Sequence, residues 1–287
     1  MFIRYIAHVR NCLTIRKLLR NKSSENLENL YWYDMKLKYA VSWRGILKVV
    51  IWGILKNNNN EIAKNYSKIS IYCKEPPAKS INESNPPVWN CKSLSSKAWH
   101  DERSFTRDLL EKNAKEIISD YKTILNSIKT HPDNSSLTPR GKWIGLFFSG
   151  VNGWDQTILN KCPNISRILK QLPICQNFGF AMLSGTEAKT IISPHCGSSN
   201  LRLRNHLGVD IPEPNAVKIR VGNEWRYWKQ NKTISFDDSF EHEVKHEGNQ
   251  LRVVLSVDIW HPSLSKEDIK ILSHNVFKDF GYFILKK

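Results

Sequence analysis

The sequence predicts a mainly β fold, a jelly roll braced by helices, and three features of the chain favour that class. After residue 140, short apolar runs follow one another at roughly 8–12-residue spacing, separated by Gly, Asn and Pro, which is typical of a sandwich or barrel. An apolar stripe at helical spacing precedes these runs, and a helix-capping pattern follows them. A chain of 287 residues is long enough to bury a full core around such a sheet.

The N-terminal part is expected to form a basic, mostly helical extension. Residues 1–80 carry 15 Lys/Arg against 5 Asp/Glu, so +10 of the formal net charge of +16 lies there. Residues 1–56 have the pattern of helical segments, and the Asn57–Asn60 tract is expected to form a loop. Four prolines among Ser and Asn, the last of them shortly before residue 90, are typical of a linker. The sequence therefore divides into an extension with its linker, residues 1–90, and a main domain, residues 91–287.

The basic extension allows more than one partner. It could approach an anionic membrane, a nucleic acid or an acidic polypeptide, or it could be an ordinary solvated surface. No DNA- or RNA-binding motif accompanies the charge, so no specific nucleic acid is expected. Residues 41–55 could lie at a membrane interface as an amphipathic helix or pack against the main domain, because their apolar run is far shorter than the ~20 residues of a spanning helix. Residues 1–20 make a poor secretory signal, so a cytoplasmic location is expected, with peripheral membrane contact as the alternative.

The elements of the main domain follow from the spacing of apolar residues. A helical pattern covers Trp99–Ser127, and its apolar stripe from Phe105 to Leu125 is expected to face the core. A short helix is predicted over Asn164–Leu172, and Ser265–Asp268 has the form of a capping box that opens a final helix. The other apolar runs are predicted to be strands: Trp143–Phe148, Phe178–Leu183, Thr190–Ser193, Asn200–Leu207, Val217–Val221, Glu224–Trp228, Thr233–Phe236, His242–His246 and Leu251–Trp260.

The run Leu201–Leu207 places charged side chains on one face of a strand. The period of two puts the leucines on one face and Arg202, Arg204 and His206 on the other. Such groups are costly to bury without an anionic partner, which a bound 2-oxoacid or an acidic substrate would supply. A solvent-exposed polar face is the equal alternative on this segment alone.

Arg252 lies in a run apolar enough to be a central strand. An arginine there needs a carboxylate, and its planar fork suits bidentate pairing with one. The carboxylate could belong to a 2-oxoacid, or to Asp237, Asp238 or Glu241 in a purely structural pair.

Two histidines at strand ends are the candidate metal ligands. His195 lies between Pro194 and Gly197 at a strand-to-turn junction, and His242 follows an acidic turn, with Arg252 ten residues behind it. Imidazole suits a redox-active first-row metal that keeps open positions for O2 and an oxoacid. This arrangement is that of an Fe(II)/2-oxoglutarate oxygenase. Cys196 is expected to point to the opposite face of its strand and is not assigned as a ligand, and the six cysteines define no disulfide framework.

Five ordered segments resemble the aspartyl/asparaginyl β-hydroxylase family of Fe(II)- and 2-oxoglutarate-dependent oxygenases, over residues of about 140–265. These segments are Pro194–Gly197, Asn200–Gly208, Ile219–Gly222, Phe236–Val244 and Val257–Pro262. The resemblance implies a double-stranded β-helix, a cupin-like jelly roll, with Fe(II), 2-oxoglutarate and O2 as cofactor and co-substrates.

The resemblance also implies a role for particular residues. His195 and His242 match the iron ligands, and Arg252 matches the residue that pairs with the C5 carboxylate of 2-oxoglutarate. The remaining matches lie around the co-substrate: Ser184 as the hydroxyl that helps Arg252, Arg204 and His206 near the C1 carboxylate and the substrate, and Trp143 as a nearby aromatic residue.

Gly197 stands where most oxygenases of this class have a third, carboxylate ligand. A glycine supplies no ligand, so water is expected to fill that position, a departure that the family shares. Asp237 and Asp238 are interpreted as turn formers and hydrogen-bond anchors and not as a replacement ligand.

Three functions are weighed. The first is hydroxylation of the β-carbon of Asp or Asn in a polypeptide. The second is hydroxylation of a lipid acyl chain or of a small amino-acid-derived metabolite. The third is a non-catalytic binding module on the same β scaffold, because a fold alone does not establish activity; the joint presence of His195, His242 and Arg252 disfavours it.

Overall fold

The computed structural model describes residues 71–72, 80–86, 90–91, 94–150, 153–175 and 179–266, together with Ile269 and Ser273. The predictions made for residues 1–70, which include the basic helices, the amphipathic segment and the Asn57–Asn60 loop, lie outside these residues. The division of the chain near residue 90 stays a prediction. Over the described ranges, no helix combines the length and the apolar character needed to cross a bilayer.

Strands dominate the described part of the chain. In chain order they are β1 (Ile71–Tyr72), β2 (Asn90–Cys91), β3 (Lys129–Thr130), β4 (Trp143–Gly150), β5 (Gly153–Trp154), β6 (Ala181–Thr186), β7 (Ile191–His195), β8 (Arg202–Asp210), β9 (Val217–Val221), β10 (Glu224–Tyr227), β11 (Thr233–Phe236), β12 (His242–His246) and β13 (Arg252–Trp260). The α-helices are α1 (Phe105–Lys112), α2 (Ala114–Ile124), α3 (Asn134–Leu137), α4 (Gln156–Lys161) and α5 (Pro163–Leu169), with a 3-10 turn at Leu125–Ser127.

The eight strands from β6 to β13 form two four-stranded antiparallel layers. One layer has the order β11-β8-β13-β6, and it continues through β4 to β3, while β5 pairs with β4. The other layer has the order β10-β9-β12-β7. Successive strands alternate between the layers except at the β9–β10 hairpin, and apolar side chains of both layers share one buried cluster. This is the jelly roll, or double-stranded β-helix, that the sequence predicts, so the predicted fold class is confirmed.

Helices α1, α2, α4 and α5 cover the outer face of the larger sheet. Leu110 and Ile117 of α1 and α2 pack with outward-facing sheet residues such as Phe148, Leu183 and Leu255, and all five are fully buried or nearly so. The period of two on each strand therefore gives the larger sheet two different faces. One face is sealed by helices, and the other faces the interior of the jelly roll.

The helical region differs in three ways from the prediction. Trp99 forms a β-bridge with Phe236 instead of starting a helix, and the first helix begins only at Phe105. Asn113 then divides the helix in two, because its backbone leaves the helical region (ψ 15) and its side-chain amide donates to Leu109 O at 2.7 Å. The prediction that the apolar stripe faces the core is wrong at both ends, since Phe105 is 62% exposed and Leu125 is 40% exposed.

Most strand positions agree with the sequence. β9, β11 and β12 have the predicted bounds, and β13 begins one residue later than predicted. The short helices α3 and α4 were not predicted. Asp155 caps the N-terminus of α4, because its carboxylate accepts from Ile158 N at 3.0 Å. At the predicted final helix, Ile269 N donates to Ser265 O at 3.0 Å, which is the hydrogen bond of a helical turn.

Candidate active site

His195 and His242 face each other across β7 and β12, and they are cross-strand partners. Their ring centroids lie 4.2 Å apart. The Nδ1 of His195 is 2.8 Å from Ser193 O, and the Nδ1 of His242 is 3.0 Å from Phe240 O. Because a carbonyl oxygen only accepts, each Nδ1 carries the proton and each Nε2 keeps its lone pair. Two Nε2 lone pairs at this separation can bind one metal ion.

Both imidazoles are held in the neutral form that binds metals. Burial lowers the pKa of His195, and the Arg204 guanidinium lowers it further. Burial and the neighbouring His195 lower the pKa of His242 to about 3. Among the described residues, no set of three or more His, Cys, Asp and Glu side chains is arranged to hold a metal ion. The two imidazoles are thus the candidate protein ligands for an ion bound here.

The Asp238 carboxylate fills the space beside Gly197. A Cβ at position 197 would lie 2.3 Å from Asp238 Oδ2 and 2.7 Å from Asp238 Oδ1, so no larger residue fits there without movement. Asp238 Oδ2 accepts from Arg202 at 2.8 Å, while Asp238 Oδ1 is buried without a hydrogen-bond partner in the described part of the chain. Asp237 forms the turn, since its Oδ1 accepts from Ser239 N at 2.9 Å. Asp238 instead presents a buried acceptor beside the histidine pair.

Arg202 and Arg204 are neutralised by the protein itself. Asp258 accepts from Arg204 Nε at 2.8 Å and from Arg204 Nη2 at 2.9 Å, and its Oδ2 is 3.3 Å from Arg202 Nε. Asp238 Oδ2 pairs with both guanidinium groups, at 2.8 Å and 3.1 Å. Burial would raise the pKa of Asp238, but the two guanidinium groups outweigh it and hold that pKa below its usual range. The solvent-exposed alternative for this strand is wrong, because two protein carboxylates pair with its buried arginines. The prediction that Arg204 and His206 also lie around the co-substrate stays a prediction.

Arg252 is buried without a carboxylate partner among the described residues. Its guanidinium lies over the Trp228 ring at 4.2 Å and donates to Ser184 O at 3.4 Å, while its Nε finds no partner within the part of the chain that the structure describes. Burial lowers the pKa of Arg252 to about 9. The structural pairing with Asp237, Asp238 or Glu241 is absent. An isolated buried cation is unfavourable, so this position is suited to an anionic ligand.

Ser184, Trp143 and His206 line the space between Arg252 and the histidine pair. Trp143 Nε1 donates to Ser184 Oγ at 3.0 Å. His206 packs edge-on against Phe236 at 5.0 Å between ring centroids. Burial holds its pKa well below the ordinary value, and Arg204, Arg252 and His242 lower it further. The structure therefore brings all of the predicted site residues onto the inner surfaces of the jelly roll.

Sequence reasoning missed two site residues. Asp258 anchors Arg204, and the period of two from Arg252 along β13 places it on the same inner face, a signal that could have revealed it. His131 stacks on Trp143 with 3.6 Å between ring centroids and 7° between ring planes. It precedes β4 in an irregular segment, so no periodic pattern marks it.

The similarity to known proteins covers the jelly roll and the candidate site. A protein-family model described as Aspartyl/Asparaginyl beta-hydroxylase matches residues 111–262. Aspartate beta-hydroxylase domain-containing protein 2 of Mus musculus is 33% identical over 179 residues, which cover 58% of this chain and 50% of that protein. Aspartyl/asparaginyl beta-hydroxylase of Homo sapiens is 31% identical over 194 residues, which cover 64% of this chain and 25% of that protein.

A bacterial relative is similar over a comparable length. Ornithine lipid ester-linked acyl 2-hydroxylase of Rhizobium tropici is 30% identical over 186 residues, which cover 62% of this chain and 62% of that protein. The chain thus spans about half the length of the mouse relative and a quarter of the human one.

Proposed function

Because the chain belongs to the aspartyl/asparaginyl β-hydroxylase family, we propose that it is an Fe(II)- and 2-oxoglutarate-dependent dioxygenase that hydroxylates the β-carbon of Asp or Asn residues in a polypeptide. The resemblance read from the sequence is confirmed for residues 111–262. The proposal rests on two features: the buried Arg252 guanidinium, which has no carboxylate partner in the described ranges, and the two imidazoles whose Nε2 lone pairs are available.

The donor set fits ferrous iron and a dicarboxylate. Two neutral imidazoles with open positions beside them suit a redox-active metal that must also bind O2 and an oxoacid. When bound, the iron and 2-oxoglutarate supply the activation of O2 and the hydroxylation, with succinate and CO2 as co-products. The remaining tasks, which are binding, orientation and exclusion of water, fall to the residues of this chain.

Arg252 and Ser184 would bind the distal carboxylate of 2-oxoglutarate. The guanidinium fork matches a carboxylate bidentately, and a charge-assisted hydrogen bond of this kind is strong in a buried site. Trp143 orients the Ser184 hydroxyl by donating to its Oγ at 3.0 Å. Trp228, which is fully buried under the guanidinium, supports it through a cation–π contact and keeps water out.

Asp238 would act on the metal site through water. Its Oδ1, which accepts no hydrogen bond from any residue that the structure describes, is a buried acceptor next to the two imidazoles, in the space that Gly197 leaves open. A water molecule at the third protein-facing position could donate to this oxygen. Asp238 thus compensates for the carboxylate ligand that Gly197 does not supply.

A lipid acyl chain is the second candidate substrate. The similarity to the Rhizobium tropici acyl 2-hydroxylase favours it, and so does the charge of residues 1–80, which would attract anionic lipid. This alternative predicts that the full chain partitions onto anionic vesicles and that deletion of residues 1–80 abolishes the partition. If partition onto the vesicles were unchanged after the deletion, residues 1–80 would not be the membrane-binding segment.

The proposal is tested by following succinate production from 2-oxoglutarate in the presence of Fe(II) and O2. The panel comprises Asp- and Asn-containing peptides, free amino acids and acylated lipids, with mass spectrometry of each product. We expect a gain of one oxygen on an Asp or Asn residue. Hydroxylation of a lipid only would replace the proposed substrate class, and absence of any 2-oxoglutarate turnover would contradict the enzyme itself.

Variants of the two histidines provide the matched comparison. His195→Ala and His242→Ala should abolish turnover while the folded state survives, because each removes half of the protein's metal ligands. His100→Gln, a change at another buried histidine, should retain turnover.

A further inference from the structure

His131 is a buried imidazole with an unused hydrogen-bond donor beside the proposed site. It is 3% exposed, and its Nδ1 accepts from Asp133 N at 3.1 Å. The proton of the neutral ring is therefore on Nε2. That Nε2 is buried and has no hydrogen-bond partner among the described residues. Buried donors are almost always satisfied in folded proteins, so one that is left open points to a ligand.

The neighbours of His131 place its ring on the inner face of β4. The ring stacks on Trp143, whose indole N–H is engaged with Ser184. Gly145 provides the room, because a Cβ there would lie 3.2 Å from His131 Cδ2 and 2.7 Å from Met182 Cε. The lack of a side chain at position 145 thus lets an imidazole from outside the strand occupy this surface.

The His131 ring lies within electrostatic reach of Arg204 and of His195, one of the two candidate metal ligands. Burial, the Arg204 guanidinium and the His195 ring together lower the pKa of His131 to about 3. A ligand atom that His131 reaches on the His195 side would belong to the carbon centre that is to be hydroxylated.

We propose that His131 is a substrate-binding residue whose Nε2–H donates to a carbonyl or carboxyl oxygen next to the reacting carbon. This inference rests on the proposed function and deepens it. An Asn or Asp side chain carries such an oxygen on the carbon bonded to its β-carbon, and an acyl ester carries one on the carbon bonded to its α-carbon. The neutral Nε2–H of His131 can donate to the oxygen of either an Asn or Asp side chain or an acyl ester.

The direct test is nuclear magnetic resonance of the full chain labelled with 15N-histidine and loaded with Zn(II) and 2-oxoglutarate. Three probes are titrated separately: N-acetyl-asparagine methylamide, N-acetyl-aspartate methylamide and methyl butanoate. We expect the Nε2 proton of His131 to move to lower field, with saturation, for at least one probe. The probe that moves it identifies the source of the oxygen.

Two variants separate the donor from the stacking. His131→Phe keeps an aromatic ring against Trp143 but has no donor, so it should weaken binding of the effective probe roughly tenfold. His131→Gln keeps an N–H donor and should bind that probe within about threefold of the wild type. Calorimetry should show an unchanged affinity for 2-oxoglutarate in both variants.

Three results would overturn the inference. The first is a shift of the His131 resonance on addition of 2-oxoglutarate alone, because the donor would then hold the co-substrate. The second is the absence of a shift with every probe, and the third is wild-type probe binding by His131→Phe. A failure of the proposed function is distinguished from these results by calorimetry, because the wild-type protein would then not bind 2-oxoglutarate.

Discussion

At the residue scale, the site contains two kinds of buried arginine. Arg204 is held by bidentate hydrogen bonds to Asp258, whereas Arg252 has no carboxylate among the described residues. Removing one partner of a buried pair leaves the other charge uncompensated, which is strongly destabilising. Removing an unpaired buried charge has no such cost. The two arginines should therefore respond in opposite ways to the same substitution.

Arg252→Met should leave the metal-free protein as stable as the wild type or more stable, because it removes a buried cation that has no carboxylate partner among the described residues. It should nevertheless weaken 2-oxoglutarate binding by 100-fold or more, on the order of 3 kcal/mol for a buried, charge-assisted carboxylate pair. Calorimetry with the Zn(II)-loaded protein measures the binding, and urea denaturation measures the free energy of unfolding.

Arg204→Met is the matched control for that substitution. It leaves two buried carboxylates, Asp258 and Asp238, to share the single Arg202 guanidinium, so it should lower the free energy of unfolding by about 3–5 kcal/mol. If Arg252→Met were the more destabilising of the two, or if it left 2-oxoglutarate affinity unchanged, the assignment of Arg252 would be refuted.

Gly197→Asp should not create a third metal ligand. The new Cβ would lie 2.3 Å from Asp238 Oδ2, and a second carboxylate would repel the first. We therefore expect weaker Fe(II) binding and a lower unfolding midpoint. The double change Gly197→Asp with Asp238→Gly relieves the clash and should restore part of the metal affinity; tighter binding by the single variant would contradict the account.

At the element scale, strand pairing assembles the site. The register of β7 with β12 places His195 opposite His242, although 46 residues lie between them in the chain. The register of β8 with β13 likewise places Arg204 opposite Asp258. The strands and their alternating faces were predictable from periodicity, which marked Arg202, Arg204 and His206 as one face. The register between distant strands was not, so the protein partners of these arginines were missed.

Local chemistry also limits what the sequence reveals. His131 and Asp238 lie in irregular segments, where side-chain direction follows from tertiary contacts and not from a repeat. The division of the first helix at Asn113 depends on one side-chain hydrogen bond to Leu109 O, which the apolar stripe does not signal. The candidate metal ligands His195 and His242 were indicated by their positions at strand ends ahead of Arg252, and the family resemblance supported the pairing that periodicity could not supply.

Asp120 of α2 connects this helix to α5 on the outer face of the larger sheet. Its carboxylate accepts from Asn164 Nδ2 and from Ile165 N, both at 2.9 Å, and thereby fixes α5 against α2. Asp120→Ala should lower the free energy of unfolding by about 2–3 kcal/mol, since it leaves buried donors unsatisfied. Affinity for 2-oxoglutarate should stay unchanged, because the helices lie on the outer face of the sheet.

The exposed cap at Asp155 is the control for Asp120. Asp155→Ala removes one hydrogen bond to Ile158 N at an exposed helix start and should cost only about 1 kcal/mol. Equal losses in the two variants, measured by urea denaturation, would show that Asp120 does not hold the helices together.

At the scale of the whole molecule, buried histidines link stability to pH. His261 is 1% exposed, and burial together with His100 lowers its pKa to about 4, from 6.5 in the unfolded chain. Below pH 6.5 the unfolded state therefore binds a proton that the folded state does not bind. The contribution of His261 to stability is complete above pH 6.5 and is lost as the pH falls toward 4.

His261→Gln should reduce the acid sensitivity of the metal-free protein. Between pH 7.5 and pH 5, the free energy of unfolding of the wild type should fall by about 2 kcal/mol more than that of the variant. The reason is that pH 5 lies 1.5 units below the pKa of His261 in the unfolded chain, and each unit corresponds to about 1.4 kcal/mol. Urea denaturation at the two pH values measures the difference. Equal losses in both proteins would mean that His261 takes up its proton in the folded state as readily as in the unfolded one.

The central claim is that one jelly roll brings two imidazoles and one guanidinium together around ferrous iron and an oxoacid. Its most direct measurement is an anaerobic calorimetric titration of the full chain with Fe(II), followed by 2-oxoglutarate. We predict one Fe(II) per chain, lost when His195 and His242 are both changed to Ala, and 2-oxoglutarate binding that requires the metal and is lost in Arg252→Met. Undiminished Fe(II) binding by the double histidine variant would contradict the account.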